Sequence, residues 1–254
     1  MYGLDKPQFL PRPLIDVSDK LNYVSSAVKT IRNSLDKQIP LIGFSGSPWT
    51  LACYSLSGGG SRDDFIKARK WLYSRPDIFK LLLDKFTIII SEYCEMQINA
   101  GADVIMLFDS WGGLLPGHNL TEFSLIYLKR IIKYLKARSN TKIITFVKGG
   151  GNHLKTIADI GCDAVGIDWM TNLRQAKDEI GHRCALQGNL DPAVLLGTRN
   201  HIEEEVKNLF TLFGSRDNGI GHIFNLGHGI SQFTPPDNVA HLVEIVKKYS
   251  QPSV

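Results

Sequence analysis

The sequence predicts an α/β fold of parallel strands and crossover helices, closed as a (β/α)8-type barrel. Three observations carry this expectation. Short apolar runs rich in β-branched residues alternate with longer segments of helical spacing. Nearly every run ends in a polar or glycine-rich cluster. No linker, charge block or shift of composition divides the 254 residues, so residues 1–254 read as one domain.

The runs that read as strands are 39–44, 104–108, 143–147, 164–167, 183–186 and 222–225. Each has the length of a strand buried on both faces. Segments 19–36, 64–72 and 78–98 read as helices. Further along, Phe123, Ile126, Tyr127, Ile131, Tyr134 and Leu135 form one helical stripe. Ile202, Val206, Leu209, Phe210 and Phe213 form a second, and Val239, Leu242, Val243 and Val246 a third. The last of these helices has a start signal, with Thr234 as cap, Pro235 and Pro236 in the first turn and Asp237 completing a box-like pattern.

A doubly wound sheet also fits the alternation, but it concentrates functional groups near one switch point. Here the clusters follow run after run: Gly43-Phe44-Ser45-Gly46-Ser47, Asp109-Ser110-Trp111-Gly112-Gly113, Lys148-Gly149-Gly150-Gly151, Asp168-Trp169, Gln187-Gly188-Asn189 and Gly227-His228-Gly229. Polar groups ringed at the carboxyl ends of many strands describe a barrel mouth. About six strands are found where a closed barrel needs eight. The deficit lies at the front, where residues 1–38 offer a Pro-rich loop and one helix.

Composition excludes several classes. Lys+Arg 29 against Asp+Glu 25 gives a net charge of +4, too mild and too scattered for a nucleic-acid footprint but compatible with an anionic small molecule. The opening MYGLDKPQFLPRP lacks a basic stretch leading into an apolar run, so no secretory leader is expected. The apolar segment 78–98 carries Lys80, Asp84, Lys85, Glu92 and Glu95, which reads as a buried helix and not a membrane span. Cys53, Cys94, Cys162 and Cys184 form no C-x-x-C pair and read as reduced core thiols of a cytosolic protein.

Among the motifs, neither glycine run completes a P-loop or a dinucleotide fingerprint. Gly58-Gly59-Gly60-Ser61 reads as a lip before a helix, either a plain turn or a set of amides able to meet a carboxylate. Asp109 and Asp168 each follow a strand directly; each is either an electrostatic group facing a ligand or an Asx-type turn or cap. His182-x-Cys184 resembles part of a zinc set but lacks a partner pair, so no metal site is expected. His228, flanked by glycines, is a better candidate for ligand contact. Tyr54, beside the glycine lip, either donates to a carboxylate or, as a lone tyrosine more often does, packs in the core or on the surface. Ser110 lacks a G-x-S-x-G elbow and is not a hydrolase nucleophile.

Taken together, these stretches resemble the uroporphyrinogen decarboxylase family. They are P-L-I-G-F-S-G-S-P-W-T-L (40–51), G-G-G-S (58–61), N-A-G-A-D-V (99–104), F-D-S-W-G-G (108–113), F-V-K-G (146–149), G-I-D-W (166–169), A-L-Q-G-N-L-D-P (185–192) and N-L-G-H-G-I (225–230). The resemblance implies a (β/α)8 barrel, typically a homodimer, without metal or organic cofactor. It implies conversion of uroporphyrinogen III to coproporphyrinogen III by loss of carbon dioxide from four acetate side chains, with no nucleic-acid or membrane partner. It also implies substrate contacts at Tyr54, Ser110 and His228. Family members carry, in a longer front region with two more strand–helix units, an R-Q-A-G-R run and an aspartate in an F-S-D context. This sequence contains neither, so a polypeptide of these residues alone is expected to have little activity. Two rivals remain. A porphyrin-binding remnant without catalysis is one. A corrinoid-linked methyltransferase of the same superfamily is the other, but Phe146-Val147-Lys148 and His228 stand where such enzymes hold zinc through H-x-C and a later cysteine.

Overall fold

The computed structural model describes residues 16–59, 63–214 and 221–250. Two compact units divide the chain, Met1–Ile144 and Thr145–Val254, with the boundary inside a strand.

The first unit runs α1 (Val17–Ser34), β1 (Ile42–Gly46), α2 (Pro48–Ser57), α3 (Ile66–Ser74), α4 (Pro76–Asn99), β2 (Val104–Asp109), α5 (Gly117–Leu120), a π-helical turn (Thr121–Leu125) and α6 (Ile126–Lys136), entering β3 (Lys142–Val147). β1 pairs in parallel with β2, from Ile42 opposite Val104 to Gly46 opposite Phe108. β1 starts later than the apolar run because side chains take the preceding backbone. Arg32 Nη1 donates to Ile39 O at 3.0 Å, and Leu41 N donates to Asp103 Oδ2 at 2.7 Å. α4 is the expected buried helix: Phe79, Leu83, Thr87, Ile90, Ser91, Cys94 and Gln97 face inward at spacings of three and four. Ser47 N donates to Phe108 O, so odd-numbered residues of β1 point toward β2 and even-numbered ones away. On that far side, Phe44 N donates to Gln97 Oε1 and Gln97 Nε2 donates to Phe44 O, both at 3.0 Å. A side-chain amide thus stands in for a neighbouring strand at Phe44.

The second unit continues from β3 through α7 (Leu154–Ala158), β4 (Ala164–Gly166), α8 (Leu173–Ile180), β5 (Ala185–Gln187), α9 (Arg199–Phe213), β6 (His222–Ile223) and α10 (Pro236–Ser250). β4 pairs with β5, and β5 with β6, all in parallel. Six strands are present among the described residues, as the apolar runs predict, and strand order follows chain order within each unit. β6 is shorter than the run 222–225; beyond Ile223 the chain keeps an isolated bridge from Leu226 to Leu190.

Two helical expectations are corrected at α10. Leu242 and Ile245 face inward, while Val243 is 48% exposed. The inward stripe therefore runs through Ile245 instead of Val243. Thr234 Oγ1 is buried and meets no hydrogen-bond partner among the described residues, so it caps nothing. All four cysteines are buried and outside any disulfide, and burial pushes the Cys94 thiol up to about 12. Among the described residues no helix is long and apolar enough to cross a membrane.

Candidate active site

In the first unit the candidate groups cluster where β1 and β2 end. Ser47 caps α2, its Oγ accepting from Thr50 N at 3.0 Å, with Pro48 in the first turn. Gly58 closes the helix in the left-handed region, φ 73°, donating its N–H to Tyr54 O at 3.0 Å. α2 buries Trp49, Ala52 and Cys53, and this leaves Tyr54 at the surface, 40% exposed. The Tyr54 ring stands edge-on to Phe65 at 5.4 Å and to Trp111 at 6.3 Å; Phe65 and Trp111 lie 4.8 Å apart. Phe65 reaches this place with φ 54°, in the left-handed region, preceded by Asp64 at φ 49°. Such a conformation costs about 1–3 kcal/mol and is offset here by full burial of the ring. Ser110 follows β2 directly and is half-buried.

Asp109 is fully buried and turned toward protein donors. It accepts from Ser47 Oγ at 2.8 Å, from Thr50 Oγ1 at 2.9 Å, from Ser124 Oγ and from the Trp111 backbone N–H. Burial pushes its carboxyl up from the ordinary value, while those four donors pull the other way.

In the second unit the groups follow β3, β4 and β6. Asp168 proves to be a turn carboxylate: its oxygens accept from Gly149 N at 2.6 Å, Thr171 Oγ1 at 2.8 Å and Met170 N at 3.2 Å. Its neighbour Trp169 lies under the Lys148 ammonium at 5.7 Å. His228 stands edge-on to Trp169 at 5.8 Å and to Phe146 at 6.3 Å. Gly227 makes that placement possible. A Cβ there would sit 2.3 Å from Trp169 N, so the backbone approaches closer than any side chain allows. Gly227 N also donates to Leu190 O at 2.7 Å.

His228 is exposed, and its pKa lies below 6.5, first because of partial burial and then because of the Lys148 charge; the Gly229 backbone and Asp168 oppose this. The unfolded chain therefore binds more protons between the lowered value and 6.5, so this group's share of stability is full above 6.5 and declines as pH falls. A histidine titration by NMR is expected to give His228 a midpoint below 6.5, moving upward in Lys148→Met. A midpoint above 6.5 in the unsubstituted chain defeats this account.

Sequence reasoning singled out Tyr54, Ser110 and His228 but missed the rings packed against Tyr54 and His228: Phe65, Trp111, Phe146 and Trp169. Three of these lie inside the quoted motifs F-D-S-W, F-V-K-G and G-I-D-W, so the signal was adjacency to the polar group. Gly60 and Ser61 of the glycine lip, and Arg62 next to them, lie outside the described residues. His182 is exposed whereas Cys184 is buried, and among the described residues no cluster of three or more His, Cys, Asp or Glu side chains is placed to hold a metal.

Polar groups set after successive strands of a parallel α/β fold define a barrel-type protein. Comparison with known proteins supports the architecture. A methyltransferase from Methanosarcina mazei superposes with a TM-score of 0.75 at 24% identity, covering 91% of this chain and 65% of that one. A B12-independent methionine synthase from Shewanella sp. W3-18-1 gives 0.59 at 13% identity, covering 89% and 67%. At such identities the likeness speaks for the fold alone. The sequence goes further: the model of the uroporphyrinogen decarboxylase (URO-D) family matches residues 8–249, and the chain belongs to that family. The uroporphyrinogen decarboxylase of Herminiimonas arsenicoxydans is 49% identical over 236 residues, 92% of this chain and 65% of the relative. That of Mannheimia succiniciproducens is 45% identical over 243 residues, 94% and 68%. The chain thus spans 65% of the length of the first of these relatives.

Proposed function

We propose that these residues form part of a site that takes uroporphyrinogen III and releases coproporphyrinogen III, acting as a carboxy-lyase. The observation that carries this reading is the pairing of flat aromatic walls with isolated hydrogen-bonding groups: Tyr54 on Phe65 and Trp111, His228 on Phe146 and Trp169. Rings suit pyrroles, and donors suit the carboxylates that every pyrrole of the substrate bears. In this reading the Tyr54 and Ser110 hydroxyls and a His228 N–H donate to those carboxylates, and the Lys148 ammonium supplies positive charge beside His228. His228, neutral around pH 7 because its pKa is lowered, keeps one N–H to donate and one nitrogen to accept.

The chemistry sets a further requirement. Loss of carbon dioxide from a pyrrole acetate needs an electron sink, and protonation of the ring carbon makes one in the form of a cation. A fixed carboxylate beneath the pyrroles stabilises that cation, and forked arginines hold the polyanion. The family's R-Q-A-G-R run and F-S-D aspartate are absent from this sequence. Binding and turnover therefore come apart in our reading: these residues bind, and decarboxylation needs the other groups. A single barrel domain, a homodimer and a cytoplasmic place of action are further parts of the proposal.

Binding is tested anaerobically with coproporphyrinogen III, following tryptophan fluorescence. Tyr54→Phe, Ser110→Ala and His228→Leu are each expected to weaken binding roughly 10- to 150-fold, the equivalent of one hydrogen bond to a charged group. Unchanged affinity in all three variants defeats the reading.

A further inference from the structure

Asp109 is sealed from solvent, yet it touches each element that holds the first unit's candidate contacts. Ser47 and Thr50 reach it from the start of α2, at 2.8 and 2.9 Å. Ser124 reaches it from the π-helical turn, and the Trp111 backbone N–H from just beyond β2. An ionised carboxylate offers about four acceptor positions, so these four donors fill it. Ser47 Oγ is used twice, donating to Asp109 and accepting the Thr50 N–H at 3.0 Å. The cap of α2 is therefore oriented by Asp109. Tyr54 rides on α2, and Ser110 is the next residue in the chain after Asp109. Trp49 adds a parallel tie, its Nε1 donating to Trp111 O at 2.9 Å.

We propose that Asp109 is a positioning residue: its carboxylate fixes where the Tyr54 and Ser110 hydroxyls stand relative to each other, without touching the ligand. This rests on reading Tyr54 and Ser110 as ligand contacts. The physical reason is directional. A hydroxyl rotates freely and accepts as readily as it donates. A carboxylate only accepts, so it forces Ser47, Thr50 and Ser124 all to donate inward and leaves one arrangement of the cluster. The Asp109→Asn variant keeps the shape and replaces one acceptor oxygen with a donor, which then meets other donors.

The test measures coproporphyrinogen III binding for Asp109→Asn in two backgrounds: the unsubstituted chain, and the chain carrying Tyr54→Phe with Ser110→Ala. Affinity is expected to fall roughly 10-fold or more in the first background and less than about 2-fold in the second, since the hydroxyls being positioned are then gone. An equal loss in both backgrounds, or no loss in the first, overturns the proposal. A second readout needs no ligand. Cys53 is buried on α2 beside Tyr54, and burial followed by the Asp109 charge raises its thiol well above the ordinary value. Asp109→Asn is expected to speed the reaction of Cys53 with a thiol reagent beyond the gain from its lower thiol pKa, as read from the rate's pH dependence, while Cys94, buried on α4 in the same unit, stays protected. An unchanged Cys53, or Cys94 opening together with it, overturns a local placing role. If the unsubstituted chain does not bind coproporphyrinogen III, the substrate reading fails, and the cysteine result still decides whether Asp109 places α2.

Discussion

Trp49→Ala is expected to lower the unfolding free energy by about 3–5 kcal/mol, the range for removing a large buried aromatic ring. Trp49 has no exposed surface and packs edge-on to Phe79 at 5.8 Å. Its loss leaves a cavity on the inner face of α2. It also removes the Nε1–H that Trp111 O accepts at 2.9 Å, leaving that carbonyl with the Leu114 N–H at 3.1 Å. Whole-protein stabilities are about 5–15 kcal/mol, so this one change consumes a large part of the margin. Tyr23→Ala serves as the control: Tyr23 is 70% exposed on α1, and its loss is expected to change stability by less than about 0.5 kcal/mol. Urea unfolding followed by circular dichroism measures both. A Trp49→Ala effect no larger than that of Tyr23→Ala defeats the view that Trp49 anchors α2.

The same packing explains what could be read from the sequence. Strands were legible because each is a β-branched run bounded by polar or glycine residues, a pattern set by burial on both faces. Their ends were less so. The start of β1 is decided by Arg32, at the end of the preceding helix, and by Asp103, 62 residues beyond Leu41, which take the backbone of Ile39 and Leu41. Gln97 is similar: nothing local announces that a glutamine near the end of a helix hydrogen-bonds both backbone groups of Phe44. Of the two aspartates left open between turn and ligand contact, Asp168 bonds to near neighbours in the chain and to Gly149, as an Asx-type turn does. Asp109 is different, because its partners come from residues 47, 50, 111 and 124, and only the fold assembles them. The π-helical turn that carries Ser124 lies within a stripe whose spacing looks regular, so the insertion was hidden. At α10, branched residues on several sides made the choice of inward face ambiguous, and Ile245 took the place assigned to Val243.

The largest functional effect is expected from the 254 residues assayed alone with uroporphyrinogen III. Turnover is expected to be at least roughly 10³-fold below that of a uroporphyrinogen decarboxylase of full family length, because removing one preorganised charge-stabilising group typically costs about 10²–10³. Here both the family's aspartate and its arginine run are missing from the sequence. In the proposed reading, binding depends on a different set of groups. Tyr54, Ser110 and His228 are all present, so coproporphyrinogen III is expected to bind measurably even where turnover is lost. That split separates the readings. Binding without turnover agrees with a site that needs the missing carboxylate and guanidinium groups to stabilise the cation and hold the polyanion. Robust turnover by these residues alone means that some group among them stabilises the cation, and the assignment of that role to the absent aspartate is then wrong. Absence of binding as well means that the aromatic walls and their hydrogen-bonding groups do not hold the porphyrinogen without the arginines.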